Sequence, residues 1–227
     1  KRLKNEEIKF WNTIDLILSI SDNDRSYIIK YCNTPTHTIG LHAEKRLLQN
    51  SDQSKKVDFF HLGTMNWLPN LDGINWLLKN VFPKVKQTEK SAEIHIAGRA
   101  MSTKLKSHKQ DGYYNHGEVK NAEDFMSKHK VMLIPLFSGS GIRVKIIEGM
   151  SLGKCIISTS IGVKGINCTN NKNILIANSK NEFIKAMCFC IQNPDKVYEI
   201  GNEAKKYARD NFSKKNIINK LNTIIYL

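Results

Sequence analysis

Acidic side chains are scarce in this 227-residue sequence: 21 Asp+Glu stand against 35 Lys+Arg, a formal net charge of +14. That imbalance favours anionic partners, namely nucleic acid, phosphate-bearing small molecules or an acidic membrane surface. There is no arginine-rich arm; the lysines are scattered along the chain, and a generally basic surface accounts for the charge as well. Paired cysteines are also lacking. The five present, Cys32, Cys155, Cys168, Cys188 and Cys190, are odd in number and form no C-x-x-C. This excludes a disulfide framework and predicts a reducing compartment. The C-x-C pair at Cys188 and Cys190 is a weak metal signal, and Cys155 lies in an apolar run, as a buried thiol would. No stretch reaches the roughly 18 apolar residues of a membrane span. No signal peptide or short-period repeat is visible. The chain begins at Lys1 rather than Met, so a piece of a longer protein is expected.

What is present describes a globular protein with enough chain for a core without staples: 41% hydrophobic and 25% charged residues. Residues 2–14 carry apolar side chains at helical spacing, 15–21 read as a short buried strand, 22–32 as a helix capped by Asp22 or Ser21, and 36–40 as a strand. The polar stretch 44–56 reads as a linker. A regular rhythm follows, with strands predicted at 57–63, 92–98, 113–117, 130–136, 154–159 and 173–177. Helices are predicted at 70–85, 121–129, 141–153 and from about 180 to the end. Short apolar strands alternating with helices imply right-handed βαβ units and a parallel sheet covered on both faces. The expected class is α/β, a Rossmann-like doubly wound sheet. Its ligands bind beyond the carboxyl ends of the strands.

One such end holds "PLFSGSGIRVKIIEGMSLGKCIIST", residues 135–159. Gly139 and Gly141 allow close backbone approach and expose amide hydrogens, and Ser138 or Ser140 can cap the following helix. Free amides at a helix N-terminus form an anion site. Arg143 and Lys145 fall in the first helical turn, where the dipole disfavours cations by about 0.3–1 kcal/mol. Both make sense if an anion sits in front of them, and a diphosphate held by the amides, Arg143 and Lys145 fits. Arg143 also lies on the apolar side of the helical wheel, between Ile147 and Met150, so it is not expected to point simply into water. Glu148 is seven residues after Gly141, on nearly the same face and roughly 10 Å along the helix, in reach of a ribose whose phosphates meet the N-terminus. The plainer alternative is a surface helix with a Lys145–Glu148 pair. The pattern is neither a P-loop nor the dinucleotide fingerprint GxGxxG.

These residues, with "FHLGTMNWLPNLDGINWLLKNVFPKV", "IHIAGR" and "NHGEV" before them in the same order, resemble the donor-binding half of GT-B glycosyltransferases, specifically the group 1 or GT4 family, over about residues 56–215. The resemblance implies two facing Rossmann-like domains. On that basis residues 1–45 are expected to be a remnant of the N-terminal acceptor domain plus linker, and 46–227 the nucleotide-sugar domain with C-terminal helices. It also implies retaining transfer of a sugar from a UDP- or GDP-sugar to a glycan or lipid-linked glycan, as in polysaccharide biosynthesis. No catalytic metal and no cofactor are implied; amides and basic side chains would carry the diphosphate charge. The family's glutamate, seven residues, glutamate signature maps its second member, the ribose ligand, to Glu148. Its first falls on Ser140, a departure that removes the charge expected near the donor hexose. The family's turn amides map to Ser140, Gly141 and Ile142, beside Gly139. The Arg and Lys that many members place after the first strand are replaced by "GTMNWLPN", and Arg143 and Lys145 are expected to take over that work.

Other positions complete the expected site. Gly63 allows close approach at the first strand's end, with Asn66 or Asn70 near the donor, although a loop role suits all three. Arg99 ends the second strand and can face the nucleotide. His116 and Gly117 match the family's loop beside the base. Trp67 and Trp76 read as packing residues, Trp67 alternatively lining the cleft. Catalytic residues are left unassigned, because the family places them mainly in the other domain, and the chain by itself is expected to bind donor without turnover. A cytoplasmic location, with peripheral contact to the inner membrane face, is expected. The competing readings are a Rossmann dehydrogenase, disfavoured by the missing fingerprint, and a basic nucleotide- or nucleic-acid-binding module without transferase activity. Against the latter, no nucleic-acid reader motif is found.

Overall fold

The computed structural model describes residues 2–43 and 56–225. The expected linker at 44–56 lies almost wholly outside them. The described residues divide into two compact units, 2–43 with 210–225, and 56–209.

The smaller unit contains α1 (Arg2–Trp11), β1 (Ile17–Ser19), α2 (Asp22–Ile28) and β2 (Thr36–Thr38). β1 and β2 pair in parallel, Ile17 opposite Thr36. Ser21 caps α2, its hydroxyl accepting from the Asp24 N–H, which resolves the two cap candidates in favour of serine. Ile17, Ile28 and Cys32 form its small core, with Trp11 and Ile14 against them.

The larger unit is the doubly wound sheet. Its elements are β3 (Phe59–Leu62), α3 (Leu68–Trp76), α4 (Phe82–Thr88), β4 (Ile94–Ala97), α5 (Thr103–Ser107), β5 (Tyr113–Gly117), α6 (Ala122–Ser127), β6 (Val131–Ile134), α7 (Val144–Ser151), β7 (Cys155–Ser158), β8 (Leu175–Ile176), α8 (Lys180–Gln192) and α9 (Pro194–Phe212). The order across the sheet is β5-β4-β3-β6-β7-β8, every pair parallel. Counted from β3 as strand 1, this is 3-2-1-4-5-6, which reverses between β3 and β6. On one face, Phe59, Ile94, Ile96, Val131, Leu133 and Ile157 pack under Leu77, Val81, Phe82, Phe183 and Met187. On the other, Gly149 of α7 lies so close to β6 and β7 that an added Cβ would sit 2.9 Å from Met132 Sδ.

The one helix expected at 70–85 runs instead from 68 to 88, with a wider π-helical turn at Leu77–Val81 between α3 and α4. Pro83 supplies the reason. It has no N–H, so a regular i→i−4 ladder cannot continue through it. α5 was not apparent from apolar spacing; Ser102 caps it through the Leu105 N–H. The division between units falls within α9, and α10 (Lys214–Ile225) groups with the N-terminal unit. The sequence reading kept all C-terminal helices with the larger domain. The difference rests on contacts with no local signature, such as the Ala43 N–H donating to the Phe212 carbonyl. No helix among the described residues is long and apolar enough to cross a membrane.

Candidate functional site

The reversal between β3 and β6 puts two glycine-rich turns at one edge of the sheet. The first follows β3. Gly63 has no room for a side chain: a Cβ there would meet Asn70 Nδ2 at 2.8 Å, Lys145 Nζ at 3.0 Å and His61 Nε2 at 3.1 Å. Neighbouring Gly98, at the end of β4, adopts φ +147, and a Cβ on it would strike the Gly63 carbonyl oxygen at 1.8 Å. Two strand ends therefore converge at a spacing that only glycine permits.

The second turn follows β6. The strand expected at 130–136 stops at Ile134, because Pro135 has no N–H to continue the ladder. The helix expected from 141 starts at Val144, with Arg143 as its N-cap residue. Gly139 (φ +111) and Gly141 (φ +80) hold the turn out of helical geometry. The main-chain N–H groups of Ser140, Gly141 and Ile142 donate to no other described residue. Ser140 and Gly141 are exposed and Ile142 is partly so. Gly141 faces open space.

Arg143 and Lys145 leave this helix start in different ways. Arg143 is 8% exposed, as its place on the helical wheel predicted. Its Nη1 donates to the carbonyls of Ser140 and Gly141. Its guanidinium carbon lies 5.0 Å from the centre of the Trp67 ring, a cation–π contact. Gly139 makes space for the group, since a Cβ there would be 2.6 Å from Nη2. Nε and Nη2 are buried without a hydrogen-bond partner among the described residues, and burial lowers the pKa of the group. Arg143 thus shapes the turn while keeping two donors unmatched.

Lys145 reaches across the reversal to the end of β3. Its Nζ donates to Asn70 Oδ1 (2.9 Å) and the Leu62 carbonyl (3.3 Å) and lies 3.5 Å from His61 Nε2. The plainer alternative, a surface lysine paired with Glu148, is therefore not the arrangement adopted. Burial, with a smaller contribution from Arg143, pulls the lysine pKa down to about 7. His61 is fully buried, and its Nδ1 lies 2.8 Å from the Leu133 carbonyl, an acceptor, so Nδ1 carries the proton. Burial first, then Lys145, push its pKa well down. The neutral ring consequently turns a bare Nε2 toward the lysine. Neither this role of His61 nor the reach of Lys145 was apparent in the sequence. "HLG" at the strand end was the available signal.

Glu148 is half-buried and lies on α7 one turn after the exposed Val144; the helical rotation expected between Gly141 and Glu148 does not apply, because Gly141 (φ +80) lies in the turn before the helix. Asn70 is 4% exposed and bonded to Lys145 and the Thr64 carbonyl. Asn66 is exposed, with its side chain accepting from Thr64. The Arg99 side chain is exposed after the carboxyl end of β4. His116 lies within β5, the strand expected at 113–117, and its ring turns toward His95, Nε2 being 3.0 Å from His95 Nδ1. Only its main chain stays at the ligand edge. The sheet edge thus brings together Gly63, Asn70, the 139–142 turn, Arg143 and Lys145. Unmatched amides and partly desolvated cations suit an oxyanion group, and a carboxylate about one turn into the helix suits sugar hydroxyls.

Residues 56–193 match the family described as Glycosyl transferases group 1. An uncharacterized 44.6 kDa protein in the cps region of Klebsiella pneumoniae is 22% identical over 221 residues, 92% of this chain and 56% of that protein. Similar solved structures include TarM of S. aureus (TM-score 0.78, 16% identity, 99% of this chain and 46% of that one). The pneumococcal O-GlcNAc transferase GtfA, in complex with UDP and GlcNAc, superposes at TM-score 0.74 with 14% identity, over 100% of this chain and 47% of that one. Anabaena HepE, in complex with UDP and glucose, does so at 0.71 with 13% identity, over 96% and 65%. The chain therefore spans about half to two thirds of the length of these relatives.

Proposed function

From the premise that this chain belongs to the group 1 glycosyltransferases, we propose that its larger unit binds the nucleoside-diphosphate sugar from which these transferases move a glycosyl group. The observation that carries the reading is the open 140–142 turn beside Lys145 at the β3–β6 reversal. The amides and Lys145 would hold the two phosphates, and Arg143 Nε and Nη2 would add charge from behind the turn. Glu148 would accept hydrogen bonds from the ribose hydroxyls. Ser140 would stand near the hexose as a neutral hydrogen-bonding group. In this scheme the departing diphosphate is stabilised by fixed donors, without a divalent ion, as in other preorganised anion sites. Transfer would retain the anomeric configuration, as the family resemblance implies.

Relatives point to the donor and the setting. GtfA and HepE were each seen with UDP, so UDP-sugars are the first donors to try, with GDP-sugars next. The cps-region relative suggests glycan assembly as the setting, with a glycan or lipid-linked glycan as acceptor. Contact with an anionic membrane surface would follow from the +14 charge; failure to sediment with acidic vesicles would argue against it.

Calorimetric titration with UDP, GDP, NAD and a short oligonucleotide tests the reading. Binding of a nucleoside diphosphate, unaffected by EDTA and absent for the nucleoside alone, is the expected result. Binding of the oligonucleotide alone, with steep salt dependence, would replace it with a nucleic-acid module.

A further inference from the structure

Three histidines far apart in sequence meet on the face of the sheet opposite the core of α3, α4 and α8. His95 lies in β4, His116 in β5, and His129 just before β6. One ligand nitrogen from each can be chosen so that all lie within 4.8 Å of one another. His95 Nδ1 and His116 Nε2 are 3.0 Å apart. A tetrahedral zinc ion with Zn–N bonds of about 2.0–2.1 Å sets its nitrogens about 3.3–3.4 Å apart, so small ring movements would close the set.

The surroundings are those of a built ligand set. His129 Nδ1 lies 2.5 Å from Asp58 Oδ2. The carboxylate must accept there, so the proton is on Nδ1 and the Nε2 lone pair is left for another partner. A carboxylate behind an imidazole is the usual way a metal-binding histidine is oriented and made more basic. Asp58 is itself fixed by the Lys130 N–H at 2.8 Å. Its Oδ2 is also 3.8 Å from His95 Nε2, so negative charge stands beside two of the three rings. Phe60 and Phe125 pack on His129, Phe125 also touches His116, and Tyr114 stacks on His95 at 4.7 Å. These walls hold the rings. His129 is 7% exposed and His116 is exposed, so an ion can enter from solvent and keep a water.

We propose that His95, His116 and His129, with Asp58 behind His129, form a three-histidine site for a divalent transition ion of the zinc type. Imidazole ligands select zinc, cobalt, nickel or copper over magnesium and calcium. The ion would tie β4 and β5 to the start of β6 on the sheet face and stabilise the folded unit by mass action. It has no part in the phosphate site proposed above and does not depend on that reading.

The test uses the whole chain, tag-free and stripped with EDTA, titrated with Co2+ and then Zn2+. The expected result is one Co2+ per chain, with the strong visible bands of a tetrahedral site, displaced by Zn2+. The melting temperature should rise in Zn2+. His116→Gln, at an exposed position, should keep its metal-free melting temperature and lose at least tenfold in metal affinity. In the unchanged protein, Zn2+ should abolish the acid titration of three imidazole proton signals, a readout that needs no variant. Absence of stoichiometric uptake at micromolar metal, uptake unaltered in His116→Gln, or three imidazoles still titrating under Zn2+ would overturn the proposal.

Discussion

The two ends of the central sheet treat charge in opposite ways. At the amino ends, a charged residue precedes each of β3, β4, β6 and β7 and is hydrogen-bonded within the protein. Asp58, before β3, accepts from His129 and the Lys130 N–H. Glu93, before β4, pairs with Lys56 at 2.7 Å. The Lys130 N–H, before β6, is the one bound by Asp58, and Lys154, before β7, donates to the carbonyls of His129 (2.7 Å) and Ser127 (3.1 Å). At the carboxyl ends β3 and β4 run into Gly63 and Gly98 and β5 finishes at Gly117, and among the described residues three successive turn amides find no acceptor and Arg143 keeps two buried donors unmatched. Charge at the first end is matched within the protein. Charge at the second fits an anion that arrives from outside.

That contrast predicts that changes at the two ends separate binding from stability. The largest effect belongs to Arg143→Ala/Lys145→Ala. It should abolish measurable UDP binding in calorimetry, and Lys145→Ala alone should weaken it about 10–100-fold, since a hydrogen bond to a charged group contributes roughly 1.5–3 kcal/mol. Unchanged UDP affinity in the double variant would break the comparison at its ligand end. At the other end, Asp58→Ala should cost about 2–3 kcal/mol in urea unfolding while leaving UDP affinity within about twofold. If UDP binding fell with Asp58, the two ends would not be independent. A smaller change is expected from Glu148→Gln, about tenfold weaker for UDP, or about 1.4 kcal/mol, and none for inorganic pyrophosphate. Equal losses for both ligands would move Glu148 from the ribose to the phosphates.

The smallest effect is a pH dependence at the matched end. Burial, His129 and His116 hold His95 at about 4 against the attractions of Asp58 and Glu93. The unfolded chain binds a proton at His95 near pH 6.5, so between about 6.5 and 4 the unfolded state holds more protons. Stability without metal should therefore fall as pH drops through that window, and His95→Gln should flatten the slope. For Asp58, burial pushes the carboxyl up, but His129, the Lys130 N–H and His95 together hold it below its ordinary value. Its contribution persists above the unfolded carboxylate pKa and is lost only at more acid pH, which separates the two in the titration.

Much of the sheet was legible because β3, β4, β6 and β7 are short apolar runs whose side chains are buried on both faces. The glycine turn was legible as well, since it is local, whereas the helical spacing read from Gly141 to Glu148 was not realised. The start of α7 was misread by two to three residues, because helical periodicity continues through Ile142 while the positive φ of Gly141 does not permit it. The sequence placed Lys145 at the helix start but did not reveal what it reaches. Its partners are His61, Leu62 and Asn70 in the turn after β3, and no spacing rule links α7 to that turn. The fate of Arg143 depended on Trp67, a side chain that sequence alone allowed to pack or to line a cleft. The histidine cluster was invisible for the same reason: its members join only when β4, β5 and the residues before β6 are laid side by side.

The central claim is that an incoming diphosphate docks at Lys145. This lysine has a pKa of about 7, so at pH 8 most of it is neutral, and a phosphate anion beside it would restore the charge. UDP titrated calorimetrically at pH 8, in two buffers of different ionisation heat, should take up between about half and one proton per site, and Lys145→Met should take up none. Binding of UDP with no proton uptake, or with the same uptake in Lys145→Met, would contradict the account.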